Sequence, residues 1–492
     1  VSVWWVWGVN MWHREQGLKL QFEGPYRFNR LIPIQNWYYP LDYKVIPWRS
    51  DQKFQNIFFG LLSPSIESKR ALYFHIPFCD TICNFCPFVR SSHQENELID
   101  TYVSALRSEI LLKTKHPEIT KSPVGSIFFG GGTPSLLSSK QIRTLGKAIH
   151  DNFDLSQLDE FSFEMEVKSV TEDKLNALLD IGVTHVRFGL QTFDSRYREL
   201  FGLTASLDDI YKAIELMRQK FRFVSFDMMY GMSGQTLDGF MNDVDYALDM
   251  GTNLIDFYPI NNAVTQPKLH RAFKKHKLAP TPASLRWEMN RYLRDRMKDG
   301  GFLPHNGHGY VRVDKDEIKK NPVVTSSYSF RYHEYVYGYG NMEVLGFGIN
   351  AISTTRAISI QNDSNKKRYI QMLLRDELPC AEVGICSKNA AASKPLILRL
   401  PYHGEVDVKR IDLMAVNCQT LERLSELMDA GLIEDSAGSL KLTQEGWLWY
   451  VNIMYYLLPD GEQAALDKIV EDAIKDEKRS IPYTEVMLDT IV

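Results

Sequence analysis

ALYFHI at residues 71–76, ELIDTYVSALRSEILLK at 97–113 and GSIFFG at 125–130 read as strand, helix and strand. The outer two are short, nearly continuous apolar runs; the middle one has helical spacing. The same unit returns downstream. FSFEM (161–165), HVRFGL (185–190), FVSFDMMYG (223–231) and NLIDFYP (253–259) are further apolar runs, with helical patterns such as TEDKLNALLDIG (171–182) between them. Strands that are apolar throughout and separated by helices predict a parallel sheet with right-handed crossovers. Six such units predict an α/β fold, a partial (β/α)6 barrel covering residues 71–355. Ligand chemistry in barrels of this kind gathers at the C-terminal ends of the strands.

Outside the barrel the pattern changes. Residues 1–70 read as an irregular, aromatic-rich segment. Its first twelve residues, VSVWWVWGVNMW, lack a basic start and a cleavage site and are too short to span a bilayer, so they read as translated leader or a sticky N-terminal segment, with Met11 as a candidate start. Residues 283–303 read as a helix, and the stretch to about 345 as loop-rich. Residues 356–400 read as an irregular connector. Residues 401–492 read as a small α-rich module: TLERLSELMDAGLIEDSAGSLKLTQEGWLWYVNIM (420–454) predicts helix, hairpin and helix, in the manner of a winged helix.

With 57 Lys and Arg against 61 Asp and Glu, no basic excess is available to neutralise a phosphate backbone, so no nucleic-acid partner is expected. No apolar run is long enough to span a membrane, and a cytoplasmic location is expected. Six Cys in 492 residues do not make a disulfide scaffold. Three of them lie within eight residues, in CDTICNFC (79–86), directly after the first strand. Thiolates at this spacing hold iron–sulfur clusters. Three of them bind three irons of a cubane and leave the fourth open, as a catalytic cluster requires. Zinc sites show two CxxC-like pairs, and no second pair is present; Cys380, Cys386 and Cys418 stand apart.

After the second strand comes Gly130-Gly131-Gly132-Thr133-Pro134-Ser135, where glycines let backbone approach a ligand closely. Glu164 ends the third strand, Gln191 follows the fourth and Asp227 lies in the fifth. Polar residues at one end of successive strands point to one shared site.

Taken together, YFHIPFCDTICNFCPF (73–88), FFGGGTPSLL (128–137), GLQTF (189–193), FDMMYGMSGQT (226–236) and GFGINAIS (346–353) resemble the radical S-adenosylmethionine (SAM) enzymes related to oxygen-independent coproporphyrinogen III oxidase. The resemblance implies a 4Fe–4S cluster on Cys79, Cys83 and Cys86, with SAM chelated to the open iron. One electron then cleaves SAM to methionine and a 5′-deoxyadenosyl radical, which abstracts hydrogen from substrate. It assigns this SAM to Tyr73, Gly131 and Glu164, with Ile352 nearby, and makes His75 a neighbour of the cluster or a core histidine. A second SAM pocket would map onto Phe85, Gly132, Thr133, Gln191, Asp227 and Asn261. Where the family shows an Arg, this chain has Leu203, so one or two SAM molecules remain open, with Arg187 or Arg198 as substitute bases. Phe88 stands where the oxidase has a further Cys, which argues against coproporphyrinogen decarboxylation.

With decarboxylation set aside, the leading expectation is methyl or methylene transfer from a second SAM to an unsaturated or aromatic carbon of a small-molecule natural product, including cyclopropanation, in the manner of class C radical SAM methyltransferases. Asp227 or Tyr230 is the expected base. The alternatives are anaerobic tetrapyrrole oxidation, haem ring opening, or a haem chaperone with vestigial radical chemistry, for which His305 and His308 offer a loop HxxH. The expected partners are a small-molecule substrate and a flavodoxin- or ferredoxin-type electron donor, with the chain a monomer or weak dimer.

Overall fold

The computed structural model describes residues 18–35, 37–41, 43–49, 69–86, 96–260, 267–321, 323–325, 330–339 and 342–475, with isolated positions 55, 60 and 491. The sequence-predicted leader, Phe88 and Asn261 lie outside these residues.

All six predicted strands form. They are β2 (Arg70–Ile76), β3 (Val124–Gly131), β4 (Glu160–Met165), β5 (His185–Gln191), β6 (Phe223–Tyr230) and β7 (Leu254–Pro259). They pair in parallel in chain order. Each neighbouring pair is linked across a helix, as in Asn96–Lys113, Ser139–Asn152 and Leu207–Lys220. The last two helices open with full capping boxes, at Ser138 and Ser206, which fix where each crossover turns back onto the sheet.

The strands look uniformly apolar in sequence, yet their two faces differ. Leu72, Phe74 and Ile76, then Ile127 and Phe129, then Phe161 and Phe163, point outward into one core with the helices. Phe74 stacks on Phe129 at 4.6 Å and on Phe347 at 4.8 Å. The alternate positions face inward and are largely polar: Tyr73, His75, Glu160, Ser162, Glu164, Arg187, Ser225, Asp227, Asp256 and Tyr258. The same alternation puts Tyr230 outward, three residues beyond Asp227, where its ring packs on Phe240 at 5.2 Å. Tyr230 is therefore a core residue and is replaced as a candidate base by Asp227 alone.

Among the described residues the sheet extends beyond the six predicted strands to thirteen. Strand β10 (Glu343–Phe347), in the stretch expected to be loop-rich, adds a seventh parallel strand beside β2. The expected irregular connector 356–400 is largely ordered. It supplies β12 (Ile358–Asn362), helix Lys366–Leu374 and β13 (Cys380–Ile385), which continue the sheet antiparallel after β11 (Ile352–Thr354). The aromatic lead-in contributes β1 (Lys44–Pro47) to the edge at β13. At the other edge, the hairpin of β8 (Phe302–Pro304) and β9 (Gly309–Arg312) closes on β7.

The C-terminal module holds helix Cys418–Asp429, the hairpin β15 (Ile433–Ser436) and β16 (Ser439–Leu442), then helices Gln444–Leu448 and Tyr450–Tyr456. Strand β14 (Glu405–Asp407) completes its small sheet. The lead-in packs against this module: Phe28 lies 5.6 Å from the Trp449 ring, and Arg27 pairs with Glu445 at 2.5 Å. Among the described residues no helix is long and apolar enough to cross a membrane.

Candidate functional site

The cysteine loop leaves β2 at its C-terminal end. Cys79 is buried and Cys83 and Cys86 are half-buried. The loop is hooked to the next units by backbone and amide bonds: the Asn84 N–H donates to the Phe201 carbonyl at 2.9 Å, and Asn84 Nδ2 to the Leu200 carbonyl at 2.7 Å. The Gly132 and Thr133 N–H groups reach back to the carbonyls of Ile76 and Phe78, at 2.7 and 2.6 Å. The two sequence motifs are thus one structural unit. Its glycines are required: Gly131 has φ +109°, and an added Cβ would meet the His75 ring at 2.6 Å. A Cβ on Gly132 would meet the Phe78 carbonyl oxygen at 2.6 Å.

Tyr73 and His75 share the inner face of β2, and the Tyr73 hydroxyl lies 2.8 Å from His75 Nδ1. Burial pushes the Tyr73 phenol well above its ordinary range, so it stays a neutral donor. Glu164, on β4, accepts the Gly131 N–H; burial, and then the nearby Asp227, push its carboxyl up to about 8. Asp227, on β6, is pushed up to about 7 by burial, against the pull of Arg187 and with repulsion from Asp256. Arg187 donates to Asp256 at 2.5 Å, stands 3.8 Å from Asp227 and lies under the Phe330 ring at 4.3 Å. Glu160 sits deeper, accepting from Ser162 at 2.7 Å and from the Arg331 N–H at 2.5 Å.

These inner positions of the described strands bring four carboxyls, Glu160, Glu164, Asp227 and Asp256, to one guanidinium. A low-dielectric interior with excess acid raises carboxyl pKa values and favours an incoming cation. SAM carries a sulfonium and an ammonium. The donor set therefore fits the implied groups: three thiols in one loop for the irons, and an acidic, glycine-lined cradle for SAM. Among the described residues no three His, Cys, Asp or Glu side chains converge on a single ion. A cubane needs no such convergence, because each of its thiolates holds a different iron.

The other predicted positions separate. Gln191 follows a bulge in β5 with φ +74°, and its side chain folds back over Gly189, whose register partner is Asp227. Thr133 is half-buried in the glycine turn, its N–H on the Phe78 carbonyl. Phe85 packs on Phe201 at 5.0 Å, in an apolar cluster that also takes Leu203. Arg198 is not a substitute base: its guanidinium donates to the carbonyls of Leu190, Thr192 and Ala205 at 3.0, 3.0 and 2.6 Å. Arg187 does reach the interior. Ile352 stands half-buried at the start of β11. The loop before it is held against β2 by buried Glu109, which accepts from the Gly348 N–H at 2.8 Å, Asn362 at 2.6 Å and Tyr369 at 2.6 Å.

Several residues at the mouth went unread in the sequence. Tyr258 lies one residue before the end of β7 and, by the strand-end rule, could have been found. Its ring lies 4.3 Å from that of His308. Tyr332 stacks on Tyr73 at 5.7 Å, and Phe330 lies 4.8 Å from Phe128. His305 and His308 are buried rather than looped into solvent. Tyr450 and Tyr402 of the C-terminal segment approach His308 and His333, at 3.1 and 2.7 Å from the imidazole Nδ1 atoms.

Residues 73–247 match the radical SAM superfamily. The chain carries a radical SAM domain. Proteins of this superfamily use a 4Fe–4S cluster and SAM. The radical SAM chain is 26% identical to the heme chaperone HemW of Bacillus subtilis, over 77% of this chain and 96% of that one. It is 25% identical to the anaerobilin synthase of Escherichia coli O157:H7, over 79% and 84%. It is 24% identical to the oxygen-independent coproporphyrinogen III oxidase of Escherichia coli K12, over 79% and 85%. The solved structure of the Escherichia coli coproporphyrinogen III oxidase HemN superposes with a TM-score of 0.69, over 82% of this chain and 93% of that one, at 21% identity. The α/β partial barrel read from the alternating strands, and the radical SAM fold that the resemblance implied, are thereby shown. The methyltransferase subtype expected from the resemblance finds no support in these relatives.

Proposed function

We propose that this radical SAM enzyme acts on a tetrapyrrole, taking a hydrogen atom from it without oxygen. The observation that carries the reading is the alignment, over most of each chain, with proteins named for coproporphyrinogen, heme and anaerobilin. The geometry agrees: Tyr73, Tyr332, Phe330 and Tyr258 rim the acidic interior with rings that suit a flat substrate.

When bound, the cluster and SAM supply the one-electron chemistry that abstracts hydrogen. Cys79, Cys83 and Cys86 would hold the irons, and Tyr73, Gly131 and Glu164 would hold SAM. Asp227, half-buried and poised near 7, takes or gives a proton at its carboxylate. Arg187, bonded to Asp256, stands 3.8 Å from this carboxyl and acts on it through charge rather than a hydrogen bond, and the rings exclude water. In this account Leu203 belongs to an apolar cluster and supplies no anchor for a second SAM carboxylate.

The test is product analysis with methyl-labelled SAM, a reductant and a tetrapyrrole. 5′-Deoxyadenosine released in proportion to tetrapyrrole supports the reading. S-Adenosylhomocysteine with label in the substrate would reinstate methyl transfer.

A second reading, haem carriage without turnover, is favoured by one contact. The Tyr450 hydroxyl engages His308 Nδ1, while His308 Nε2 has no hydrogen-bond partner among the described residues. Burial pushes this imidazole down to about 3, so it stays neutral, as an iron ligand must. Tight haem binding with no deoxyadenosine would select it.

A further inference from the structure

The lead-in segment and β11–β13 form a cavity of about 280 Å³ that shares only Ile352 with the site positions described above. Tyr38, Tyr39 and Tyr43 form one wall. The Tyr43 ring lies against the sheet at Gly384, where an added Cβ would meet it at 2.4 Å. The Tyr38 ring is 66% exposed, so one face stands open to a ligand. Asn350 and Ile352 line the same space, and Tyr38 lies within electrostatic reach of Tyr73 and Tyr332. The cavity therefore adjoins the mouth of the barrel.

Its charge is unbalanced. Lys394 and Arg356 contribute two cations against the single carboxyl of Glu382. Neither cation has a hydrogen bond or ion pair among the described residues. Burial pushes the Lys394 ammonium down to about 8, against the pull of the Cys386 thiol, which lines the same cavity. At about 280 Å³ the space is smaller than the roughly 300–1,000 Å³ that encloses a whole ligand. It accommodates the edge of a larger molecule.

We propose that this cavity receives the carboxylate-bearing edge of a flat aromatic substrate, with Lys394 and Arg356 pairing its carboxylates. The tyrosine wall stacks on the ring system, and the remainder of the substrate extends toward Tyr73. The inference deepens the tetrapyrrole reading and rests on it for the identity of the substrate, though not for its chemistry.

The test is equilibrium dialysis of the full chain with three probes: coproporphyrin III, its tetramethyl ester, and naphthalene-2,6-dicarboxylate. The wild-type protein should retain both acids and release the ester. Lys394→Met and Arg356→Met should each weaken retention of the acids roughly tenfold or more, the scale of a lost charged hydrogen bond. Lys394→Arg should restore it. Arg356 is exposed, so its variant probes the cavity even where Lys394→Met folds poorly. Retention of the dicarboxylate in a Lys394-dependent manner, without retention of coproporphyrin, would uphold the cavity and defeat the tetrapyrrole reading. Coproporphyrin held equally by wild type and both Met variants, or equally as acid and ester, would overturn the cavity proposal and leave the tetrapyrrole reading standing. Retention of no probe would overturn the cavity proposal.

Discussion

Replacing Glu164 by Gln removes a charge that the empty fold holds at a cost. Its carboxyl rises from 4.5 to about 8, chiefly through burial and next through Asp227. At about 1.36 kcal/mol per pH unit, that rise sets an upper bound of roughly 5 kcal/mol. Glu164 remains partly open to solvent on the inner face, so screening reduces the expected figure to about 2 kcal/mol. The sign follows from proton linkage. The native protein holds this proton more tightly than the unfolded chain does, so the stability contributed is complete below pH 4.5. It is lost as pH rises toward 8. Gln is neutral throughout. The melting temperature of the Glu164→Gln apoprotein minus that of wild type should be near zero at pH 5. It should grow to a few degrees positive at pH 8.5. The assay is circular dichroism melting of the full chain without cofactors across that range. Addition of SAM to the reconstituted proteins should then stabilise wild type more than the variant. A difference that is flat with pH, or negative at pH 8.5, would refute the buried-acid account of this site.

Cys83→Ala should abolish both the iron–sulfur absorbance and SAM cleavage, whereas Cys380→Ala should keep the absorbance, because the Cys380 thiol is buried beside Asn362 away from the cluster loop. Leu203→Arg should lower the melting temperature and leave SAM stoichiometry unchanged, since it drives a guanidinium into the cluster of Phe85, Phe201 and Met229. Wild-type turnover should rise through an apparent pKa near 7, and Asp227→Asn should remove that limb while retaining the cluster absorbance; a limb that persists would exclude Asp227 as the base.

The parallel core was legible because six apolar runs alternate with helical patterns, and each run became a strand. The cluster loop and the glycine turn were legible because their chemistry permits few substitutes. The division of each strand into two faces was harder to read. Where both faces are buried, Tyr230 and Asp227 look equally available, and only the strand's period of two separates them. β10 and β12 were missed for a different reason. EVLGF and ISIQN are five residues each, with glycine or polar neighbours, and their strand state depends on an existing sheet edge. Arg198 illustrates a further limit. Its sequence position suits an anion anchor, but three backbone carbonyls occupy it first. Tyr258, Tyr332, His308 and Tyr450 come from distant segments, and only the closed chain places them around one mouth.

The central claim is that this fold abstracts hydrogen from a tetrapyrrole. The most direct measurement is isotope transfer: the reconstituted protein is given SAM, reductant and a tetrapyrrole deuterated throughout its carbon-bound positions. The account predicts 5′-deoxyadenosine carrying one deuterium, formed only when the tetrapyrrole is present. Deoxyadenosine without deuterium, or S-adenosylhomocysteine in its place, would contradict it.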